Sequence, residues 1–393
     1  MSLEFFFLKK DKIVAKKKEE VLNTEEQEAV VDKKKETKNR IEKMRALLNK
    51  KAGQTVAWNL NDPTSPNNVK RWIPTGSRWL DSIIAKPDIS GTKRAGIPMG
   101  KIVEIAGLES AGKSYMALQI AKNAQEMGID VVYFDSESAL DASFCTRIGV
   151  DLDKLVYVHG TYVEELLETM EQLLGAAEGP MLFIWDSYAM TPCKAEVEGG
   201  FNPNQNIAVK ARVSSLAMSK ILTPLANQGS TLLVINQLKT NIDPSNPSAM
   251  LSTPYVTPGG KALNFAYSLR IWLTRRKAKK WFIENEHGDR IGSDVKASLE
   301  KNRFGCERRE CHFKILWGDD KNVSIQDELS WFEAIKPSRH LTSGGPWHTL
   351  DMGEGKEPVK FQSEAGFMKS LENPEFKQRV LEIMDEVLIQ RKP

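Results

Sequence analysis

The stretch KIVEIAGLESAGKSYMALQIAKNAQ, residues 101–125, decides the fold of this chain. It begins as an apolar strand, breaks into glycines and small polar residues around Lys113, and resumes as a helix. Its centre, GLESAGKS at residues 107–114, fits the pattern G-x-x-x-x-G-K-[ST]. Glycines in that pattern let successive backbone N–H groups face one anion, and the helix N-terminus adds partial positive charge. The stretch therefore predicts a nucleotide-phosphate site, against the alternative of a glycine turn with an incidental lysine.

The phosphate loop supplies the first candidate site residues. Lys113 would reach the β- and γ-phosphates of a nucleotide such as ATP, and Ser114 would ligate Mg²⁺. The preceding residues of the loop would bind the phosphates: Gly107, Leu108, Glu109, Ser110, Ala111 and Gly112.

Apolar strands and amphipathic helices alternate after residue 101. Strands are predicted at VVYFD (131–135), MLFIWD (181–186) and TLLVINQ (231–237), with helices between them. This alternation indicates an α/β fold with a mostly parallel sheet that helices cover on both faces. After residue 260 three strands follow one another, which predicts antiparallel additions to the sheet. Ligands of such sheets gather beyond the carboxyl ends of the strands.

Three polar residues lie at such strand ends. Asp186 is the candidate Walker B acid that would hold magnesium through Ser114 or water. Glu137, just past a strand, could accept a proton from an attacking water, although Asp135 or Ser136 could instead cap a helix there. Gln237 precedes a long polar loop and is a plausible sensor of the γ-phosphate.

Composition and charge describe the chain as a whole and its N-terminal segment. The chain has 393 residues, 41% hydrophobic and 27% charged, and no apolar run of eighteen residues, so we expect a soluble, cytoplasmic protein without a membrane span. Residues 9–51 hold 15 Lys/Arg against 9 Asp/Glu, a net of +6, whereas the whole chain is +3 and the remainder is thus −3. This segment is either a solvated helix or an arm that touches nucleic acid or a neighbouring subunit.

The motifs together resemble the RecA family of homologous-recombination ATPases. GLESAGKS, YFDSESALD, RIGVDLDKL, WDSYAMTPCKAEVEG, LLVINQ and TPGGKALNF occur in family order, across most of residues 67–320. GGPWHTLDMGEGK and NPEFKQRVLEIMDEVL resemble the small C-terminal domain of bacterial RecA. The resemblance implies a RecA-like P-loop ATPase core with a mostly parallel sheet flanked by helices, an N-terminal helical arm and a small α+β C-terminal domain. The expected divisions are 1–66 (arm and linker), 67–323 (core with two DNA-binding loops) and 324–393.

The resemblance also implies roles for individual residues. Glu137 would orient the attacking water, and Asp141 and Phe144 match the positions that contact adenine. Phe144 stands where tyrosine is usual, which keeps the ring and loses a hydroxyl. Lys301 and Arg303 match paired cations that reach the neighbouring subunit's ATP; arginine at the second position departs from the bacterial lysine, yet can still brace phosphate charge.

Two expected DNA loops span residues 198–206 and 238–258. Side chains that could wedge between bases are Tyr255, Met250, Leu251 and Val256, although Tyr255 could instead pack on its own domain. Lys239 and Arg212 are candidate phosphate partners. The basic cluster TRRKAKKW at 274–281 is either a solvated hairpin tip or a second site for duplex DNA.

The implied activity is that of a DNA-dependent ATPase which forms helical filaments on single-stranded DNA and exchanges strands with homologous duplex. Implied cofactors are ATP and Mg²⁺; implied partners are single- and double-stranded DNA, further copies of the chain, and single-strand-binding and loading proteins. The alternatives are a ring-forming helicase or motor of the same fold, and a recombination mediator that binds ATP without turnover.

Overall fold

The computed structural model describes residues 33–62, 64–85, 94–160, 162–199, 209–241, 254–275, 282–318 and 323–390. The chain divides into two compact units, with the boundary between Asn68 and Val69. Met250, Leu251 and most of the expected first DNA loop and of the basic cluster lie outside the described residues. None of the described helices is both long and apolar enough to cross a membrane. The division at 66/67 and 323/324 stays a prediction.

The first unit contains helix α1 over residues 33–52. Its large apolar side chains recur at spacings of three and four residues, which places them on one side of the helix. All four are exposed, by between 43% and 68%: Ile41, Met44, Leu47 and Leu48. The helix therefore presents an apolar stripe to solvent.

The second unit is built on a sheet that contains ten strands among the described residues. These strands are β3 (Ile102–Gly107), β4 (Asp130–Asp135), β5 (Leu155–His159), β6 (Met181–Asp186), β7 (Thr231–Gln237), β10 (Leu269–Arg275), β11 (Phe282–Glu284), β12 (Arg290–Asn302), β13 (Glu310–Leu316) and β14 (Ser324–Gln326). The order is β14-β13-β12-β10-β3-β7-β6-β4-β5, and β11 pairs with β12. The six strands from β10 to β5 are parallel, and β11 to β14 add antiparallel pairs. The predicted mostly parallel sheet with antiparallel additions is confirmed.

Two further pairs of short strands lie outside this sheet. Strand β1 (Trp72–Ile73) pairs with β2 (Ile97–Pro98). Strand β8 (Lys239–Thr240) pairs with β9 (Tyr255–Val256) at the two ends of the expected second DNA loop.

Helices cover both faces of the sheet because its strands are apolar on both sides. The helices of this part are α2 (Arg78–Ile84), α3 (Lys113–Glu126), α4 (Ala142–Ile148), α5 (Val163–Ala176), α6 (Lys194–Glu198), α7 (Val209–Gln228) and α8 (Gly260–Ala266). Side chains of α2, α3 and α4 share one hydrophobic cluster with Val131 and Tyr133. Those of α5, α7 and α8 share the other with Val132 and Phe134. Alternate side chains of β4 thus pack into the hydrophobic clusters on opposite faces of the sheet, as the two-residue repeat of a strand requires.

Strand β5 is missing from the sequence-based prediction, which placed no strand between residues 135 and 163. It forms the edge of the sheet, and Val156 and Tyr157 are about half exposed. Its sequence, LVYVH, carries an apolar run like the VVYFD of β4, so the local signal for this strand was present although the strand is half exposed.

The C-terminal part has its own small core. Strands β15 (Leu341–Gly344), β16 (Trp347–Leu350) and β17 (Val359–Gln362) form an antiparallel sheet, packed by α9 (Glu328–Ile335), α10 (Ser363–Ser370) and α11 (Pro374–Met384). Four phenylalanine rings meet there: Phe332, Phe361, Phe367 and Phe376. Strands and helices are both present here, as the resemblance to a small α+β domain implies.

Candidate nucleotide-binding site

The phosphate loop connects the end of β3 to the start of α3. A Cβ on Gly107 would lie 2.8 Å from the backbone oxygen of Leu273, so only glycine fits without movement. Gly112 has a φ of 87°, a left-handed conformation that glycine adopts without a Cβ penalty. Ser110 also has a positive φ, 53°, which is uncommon for a residue with a side chain. These conformations turn the loop so that α3 begins at Lys113.

Lys113 folds back over this loop. Its Nζ donates a hydrogen bond to the carbonyl oxygen of Leu108 at 3.0 Å. Burial lowers the pKa of Lys113, and the nearby carboxylates of Asp186, Glu137 and Glu109 oppose that shift. The ammonium group is thus a partly desolvated cation that donates to a neutral carbonyl with carboxylates nearby, and such a group gains strongly from a phosphate.

Asp186 ends strand β6 beside the start of α3. It is 8% exposed and accepts a hydrogen bond from the hydroxyl of Tyr133 at 2.7 Å. Burial raises the pKa of Asp186, and hydrogen bonds from Ser114 and Tyr133 are the main opposing contributions. The structure therefore brings together the two predicted metal ligands, Ser114 and Asp186. A hydroxyl and a carboxylate are hard oxygen donors of the kind that Mg²⁺ prefers, so the residues present fit that ion.

Glu137 lies in the turn that follows β4. Its backbone N–H donates to Oδ1 of Asp135 at 3.0 Å, and Oδ2 of Asp135 accepts from the N–H of Leu140 at 3.1 Å. The hydroxyl of Ser187 donates to Oε1 of Glu137 at 2.5 Å. Asp135 therefore orders the turn, whereas the exposed Glu137 carboxylate is oriented by Ser187. Neither Asp135 nor Ser136 caps α4, which begins after Asp141.

Gln237 ends strand β7, level with Gly107 in the neighbouring strand β3. The next residue, Leu238, donates its N–H to the carbonyl oxygen of Gly107 at 3.0 Å. A backbone hydrogen bond thus joins the phosphate loop to the first residue of the expected second DNA loop; we call the residues at either end of that loop its roots.

The predicted adenine contacts lie at the start of α4. Asp141 is the N-cap of that helix, and its carboxylate accepts from the N–H of Phe144 at 2.7 Å. The hydrogen bond from Ser143, followed by the one from Phe144, lowers the pKa of Asp141. The Phe144 ring makes an edge contact with Tyr115, which follows Ser114 in α3, at 5.7 Å between centroids. Phe144 therefore packs against the first turn of α3, the helix that begins at Lys113.

Lys301 and Arg303 lie at the end of β12, set back from the phosphate loop toward the amino ends of the parallel strands. Lys301 Nζ donates to the carbonyl oxygen of Asn264 at 2.7 Å, and Arg303 Nη2 donates to that of Phe265 at 3.0 Å, both at the end of α8. Lys301 is level with Arg270 and so with Glu104, three residues before Gly107. At about 3.3 Å per residue this places it roughly 10 Å along the sheet from the phosphate loop, and Arg303 lies farther still. The fold does not bring these cations to the site of their own chain.

The described DNA-binding candidates flank the two expected loops. In the β8–β9 ribbon Lys239 is directly opposite Val256, and Thr240 is opposite Tyr255. Lys239 and Val256 are exposed, whereas Tyr255 is half-buried. Arg212 is exposed in the first turns of α7.

Several polar side chains near the site were not found from the sequence. Ser187 contacts Glu137, as described above. Lys210 donates to the carbonyl oxygen of Tyr188 at 2.7 Å; burial lowers its pKa, and Glu196 opposes that shift. The fully buried Glu104 accepts hydrogen bonds from Asn236 and Arg270. A charged residue inside the apolar run KIVEIAG was the only available signal for Glu104.

Comparison with known proteins identifies the family. The sequence matches the family described as RecA N-terminal domain over residues 39–322. It is 32% identical over 321 residues to Protein RecA of Bifidobacterium longum (strain NCC 2705), which covers 80% of this chain and 74% of that protein. Protein RecA of Saccharopolyspora erythraea is 31% identical over 324 residues, covering 81% and 86%. Protein RecA of Frankia alni is 31% identical over 318 residues, covering 80% and 84%. This chain therefore belongs to the RecA family of DNA-dependent ATPases that act in DNA recombination and repair.

Proposed function

We propose that this chain binds Mg·ATP between adjacent subunits, polymerises as a helical filament on single-stranded DNA, and exchanges strands with a homologous duplex. The observation that carries this proposal is the separation of the site into two halves. The phosphate loop, Glu137 and Asp186 lie at the carboxyl ends of the parallel strands, while Lys301 and Arg303 are set back toward the amino ends. A heterologous, head-to-tail contact between copies would join the two halves and would propagate as a helix if it does not close.

The phosphate loop holds the nucleotide in this proposal. Backbone N–H groups of residues 107–112, together with the start of α3, surround the phosphates. The Lys113 ammonium leaves the Leu108 carbonyl, to which it is bonded at 3.0 Å, and pairs with the β- and γ-phosphates. Asp141 and Phe144 contact the adenine at the start of α4.

Ser114 and Asp186 would hold the magnesium ion, which when bound supplies positive charge that stabilises the phosphate oxygens. Their existing hydrogen bond keeps the hydroxyl and the carboxylate at one place before any ion binds. The hydrogen bond from Tyr133 fixes Oδ2 of this carboxylate.

Glu137 is the residue that orients the attacking water. Its carboxylate accepts a proton from that water as the new oxygen–phosphorus bond forms and the bond from the γ-phosphorus to the β,γ-bridging oxygen breaks, giving ADP and phosphate. Ser187 donates to Oε1 at 2.5 Å, which leaves Oε2 for the water. The neighbour's Lys301 and Arg303 neutralise the negative charge that develops on the transferred group.

DNA would be gripped by the two loops. Lys239 and Arg212 contact phosphates, and Tyr255 or Val256, with Met250 and Leu251, enter between bases. Gln237 senses the γ-phosphate and sets the second loop, so the ATP state is the state that holds DNA. Base pairing, rather than side chains, supplies sequence recognition.

Exposed surfaces support polymerisation. Helix α1 presents an apolar stripe, and the edge strand β5 exposes Val156 and Tyr157. Apolar patches of this kind mark interaction sites between proteins. They are two faces through which a neighbouring copy could dock.

The test is ATP turnover by the purified protein with and without single-stranded DNA, alongside negative-stain microscopy and a strand-exchange assay with matched and mismatched duplexes. We expect turnover to rise with DNA, helical filaments to form with ATP and DNA, and only matched duplexes to exchange. Equal turnover with and without DNA contradicts the proposal. Closed rings in place of filaments would favour a ring motor, and ATP binding without turnover would favour a mediator.

A further inference from the structure

A buried polar cluster connects three neighbouring strands beneath the phosphate loop. We call Glu104, Asn236 and Arg270 the sheet triad; they lie on β3, β7 and β10 and are 0%, 0% and 8% exposed. Asn236 Nδ2 donates to Oε1 of Glu104 at 2.9 Å, and Arg270 Nε donates to Oε2 at 2.6 Å. Burial raises the pKa of Glu104, and the charge of Arg270 opposes that shift most. A buried ion pair of this kind has a desolvation cost that apolar side chains would not have, so the sheet triad is a candidate for a role other than stability.

The sheet triad also reaches the C-terminal root of the second loop. Arg270 Nη2 donates to the hydroxyl of Thr257 at 2.8 Å, and Asn236 Nδ2 donates to the carbonyl oxygen of Pro258 at 3.0 Å. Both acceptors lie immediately after the β8–β9 ribbon and just before α8. One buried carboxylate thus fixes, through two donors, the backbone and side chain of the segment that closes this loop.

Strand geometry places the sheet triad and the nucleotide on opposite faces. Leu233 and Ile235 pack in the core with α3, whereas Leu232 and Val234 pack in the core with α7. By the two-residue alternation of a strand, Gln237 continues the first set and Asn236 the second. The amide of Asn236 is tied to this junction, because its Oδ1 accepts the N–H of Gln237 at 3.0 Å. A movement of Gln237 towards or away from a nucleotide therefore displaces the donor that holds Pro258.

We propose that the sheet triad is a positioning relay, through which nucleotide at the phosphate loop on one face of the sheet sets the Thr257–Pro258 root of the second loop on the other face. This inference rests on the proposed function and assigns its coupling to residues that touch neither ligand. The amino-terminal root needs no relay, because the Leu238 N–H bonds directly to Gly107. The two roots of the loop thus respond to the same site by different routes, one through backbone and one through the sheet triad.

The test uses Thr257→Val, which removes the outermost acceptor of the relay without disturbing the buried pair. Its matched control is Thr231→Val, at the other end of β7, where a buried hydroxyl donates to the Pro98 carbonyl oxygen at 3.0 Å. Glu104→Gln, which keeps the shape and removes the charge, is the second variant. Two readouts are taken: the ratio of ATP turnover with and without single-stranded DNA, and hydrogen exchange of residues 254–260 with and without a non-hydrolysable ATP analogue in the absence of DNA.

For Thr257→Val we expect the DNA-stimulation ratio to fall by about tenfold, since a hydrogen bond to a charged group is lost, while the KM for ATP without DNA changes less than about twofold. The analogue should protect residues 254–260 in wild type and in Thr231→Val but not in Thr257→Val. Glu104→Gln should show the same losses or larger ones; if it does not fold, Thr257→Val decides.

Two outcomes overturn the inference by itself: an unchanged stimulation ratio in Thr257→Val, or a ratio that falls equally in Thr231→Val, which indicates a merely structural role. If wild-type protein has the same ATP turnover with and without single-stranded DNA, both the proposed function and this inference are wrong. The exchange measurement separates these cases, because it reports the response of the loop root to nucleotide without any DNA.

Discussion

The two ends of the central sheet treat charge in opposite ways. At the carboxyl ends of the parallel strands, charged and hydroxyl side chains bond to one another: Asp186 to Tyr133 and Ser114, and Glu137 to Ser187. Toward the amino ends, Lys301 and Arg303 donate, among the residues that the structure describes, to the carbonyl groups that end α8. One end has carboxylate and hydroxyl groups, to which we assign a metal and a water; the other has donors held by helix carbonyls, whose partial negative charge is weaker than that of a phosphate. This contrast is the basis of the proposal that two copies complete the site.

The largest effect on ATP turnover is expected at the carboxyl ends of the parallel strands. Glu137→Gln keeps the shape of the side chain but cannot accept a proton, so we expect ATP turnover to fall by about 10³- to 10⁴-fold with ATP binding retained. Turnover and nucleotide affinity are measured separately. Glu126→Gln, an exposed glutamate at the end of α3, is the control and should be neutral. Turnover within tenfold of wild type would remove Glu137 from the water-orienting role.

A buried carboxyl near the amino ends gives the second test. Burial raises the pKa of Asp81 to about 7, against the hydrogen bonds from Thr75. Because the folded state then binds the proton more tightly, the stability contribution of Asp81 is complete below about pH 4 and is lost as the pH rises through about 7. Asp81→Asn should therefore raise the free energy of unfolding at pH 8 by up to about 4 kcal/mol and change it little at pH 4.

Denaturant unfolding at the two pH values measures this effect. The exposed Asp153→Asn serves as control and should show no difference that depends on pH. Equal effects of Asp81→Asn at pH 4 and pH 8 would contradict the assignment, since they would point to packing rather than to a proton.

The third test asks whether the two ends belong to one site. Lys301→Ala/Arg303→Ala should lower turnover by about a hundredfold, as removal of charge-stabilising donors does. This variant is then mixed with Lys113→Ala, and each has low turnover alone. If the two copies assemble at random, about a quarter of the head-to-tail interfaces combine an intact phosphate loop from one copy with intact cations from the other. Turnover of the equimolar mixture should rise accordingly.

Lys296→Ala, in the same strand β12, is the control and should leave turnover near wild type. A mixture no more active than its components would show that both ends act within one subunit, or that they do not act together at all.

The smallest effect is expected at Phe144. Restoring the hydroxyl with Phe144→Tyr leaves the ring and its edge contact with Tyr115 in place, so ATP affinity should change by less than about threefold. Phe144→Ala removes the ring and should weaken ATP binding by about tenfold. Equilibrium binding of a fluorescent ATP analogue distinguishes the two; equal losses would argue against stacking.

The sequence predicted the elements whose signals are local. A strand, a glycine loop and a helix at residues 101–125 predict a phosphate loop, and Asp186 and Gln237 follow apolar runs that can only be buried strands. Strand β5 was not predicted, although LVYVH has the same kind of apolar run as VVYFD; what the sequence does not show is that this strand lies at the exposed edge of the sheet. The hydrogen bonds of Glu104 could not be predicted because its partners, Asn236 and Arg270, are 132 and 166 residues away in the sequence. Pairings of that separation depend on the order of strands in the sheet, which no local pattern encodes.

The cations show a different limit. Spacing within EKNRFG indicated Lys301 and Arg303 only through resemblance, since two basic residues near a turn are common. Their position became informative when the antiparallel register placed them level with the beginning of β3 rather than its end. Sequence proximity carried no information about which end of the sheet they occupy.

The β8–β9 ribbon has a consequence for how this chain can change over evolution. Lys239 and Thr240 pair with Val256 and Tyr255, and the N–H of Asn241 donates to the carbonyl oxygen of Pro254 at 2.9 Å. The ribbon fixes both ends of the segment between them, so residues can be added or removed there without shifting either anchor. Because the entropy of closing a loop grows only with the logarithm of its length, such insertions cost about 0.6 kcal/mol per doubling. The ribbon thus makes the second loop an exchangeable part, in which length and contacts can diversify while the ATPase core stays the same.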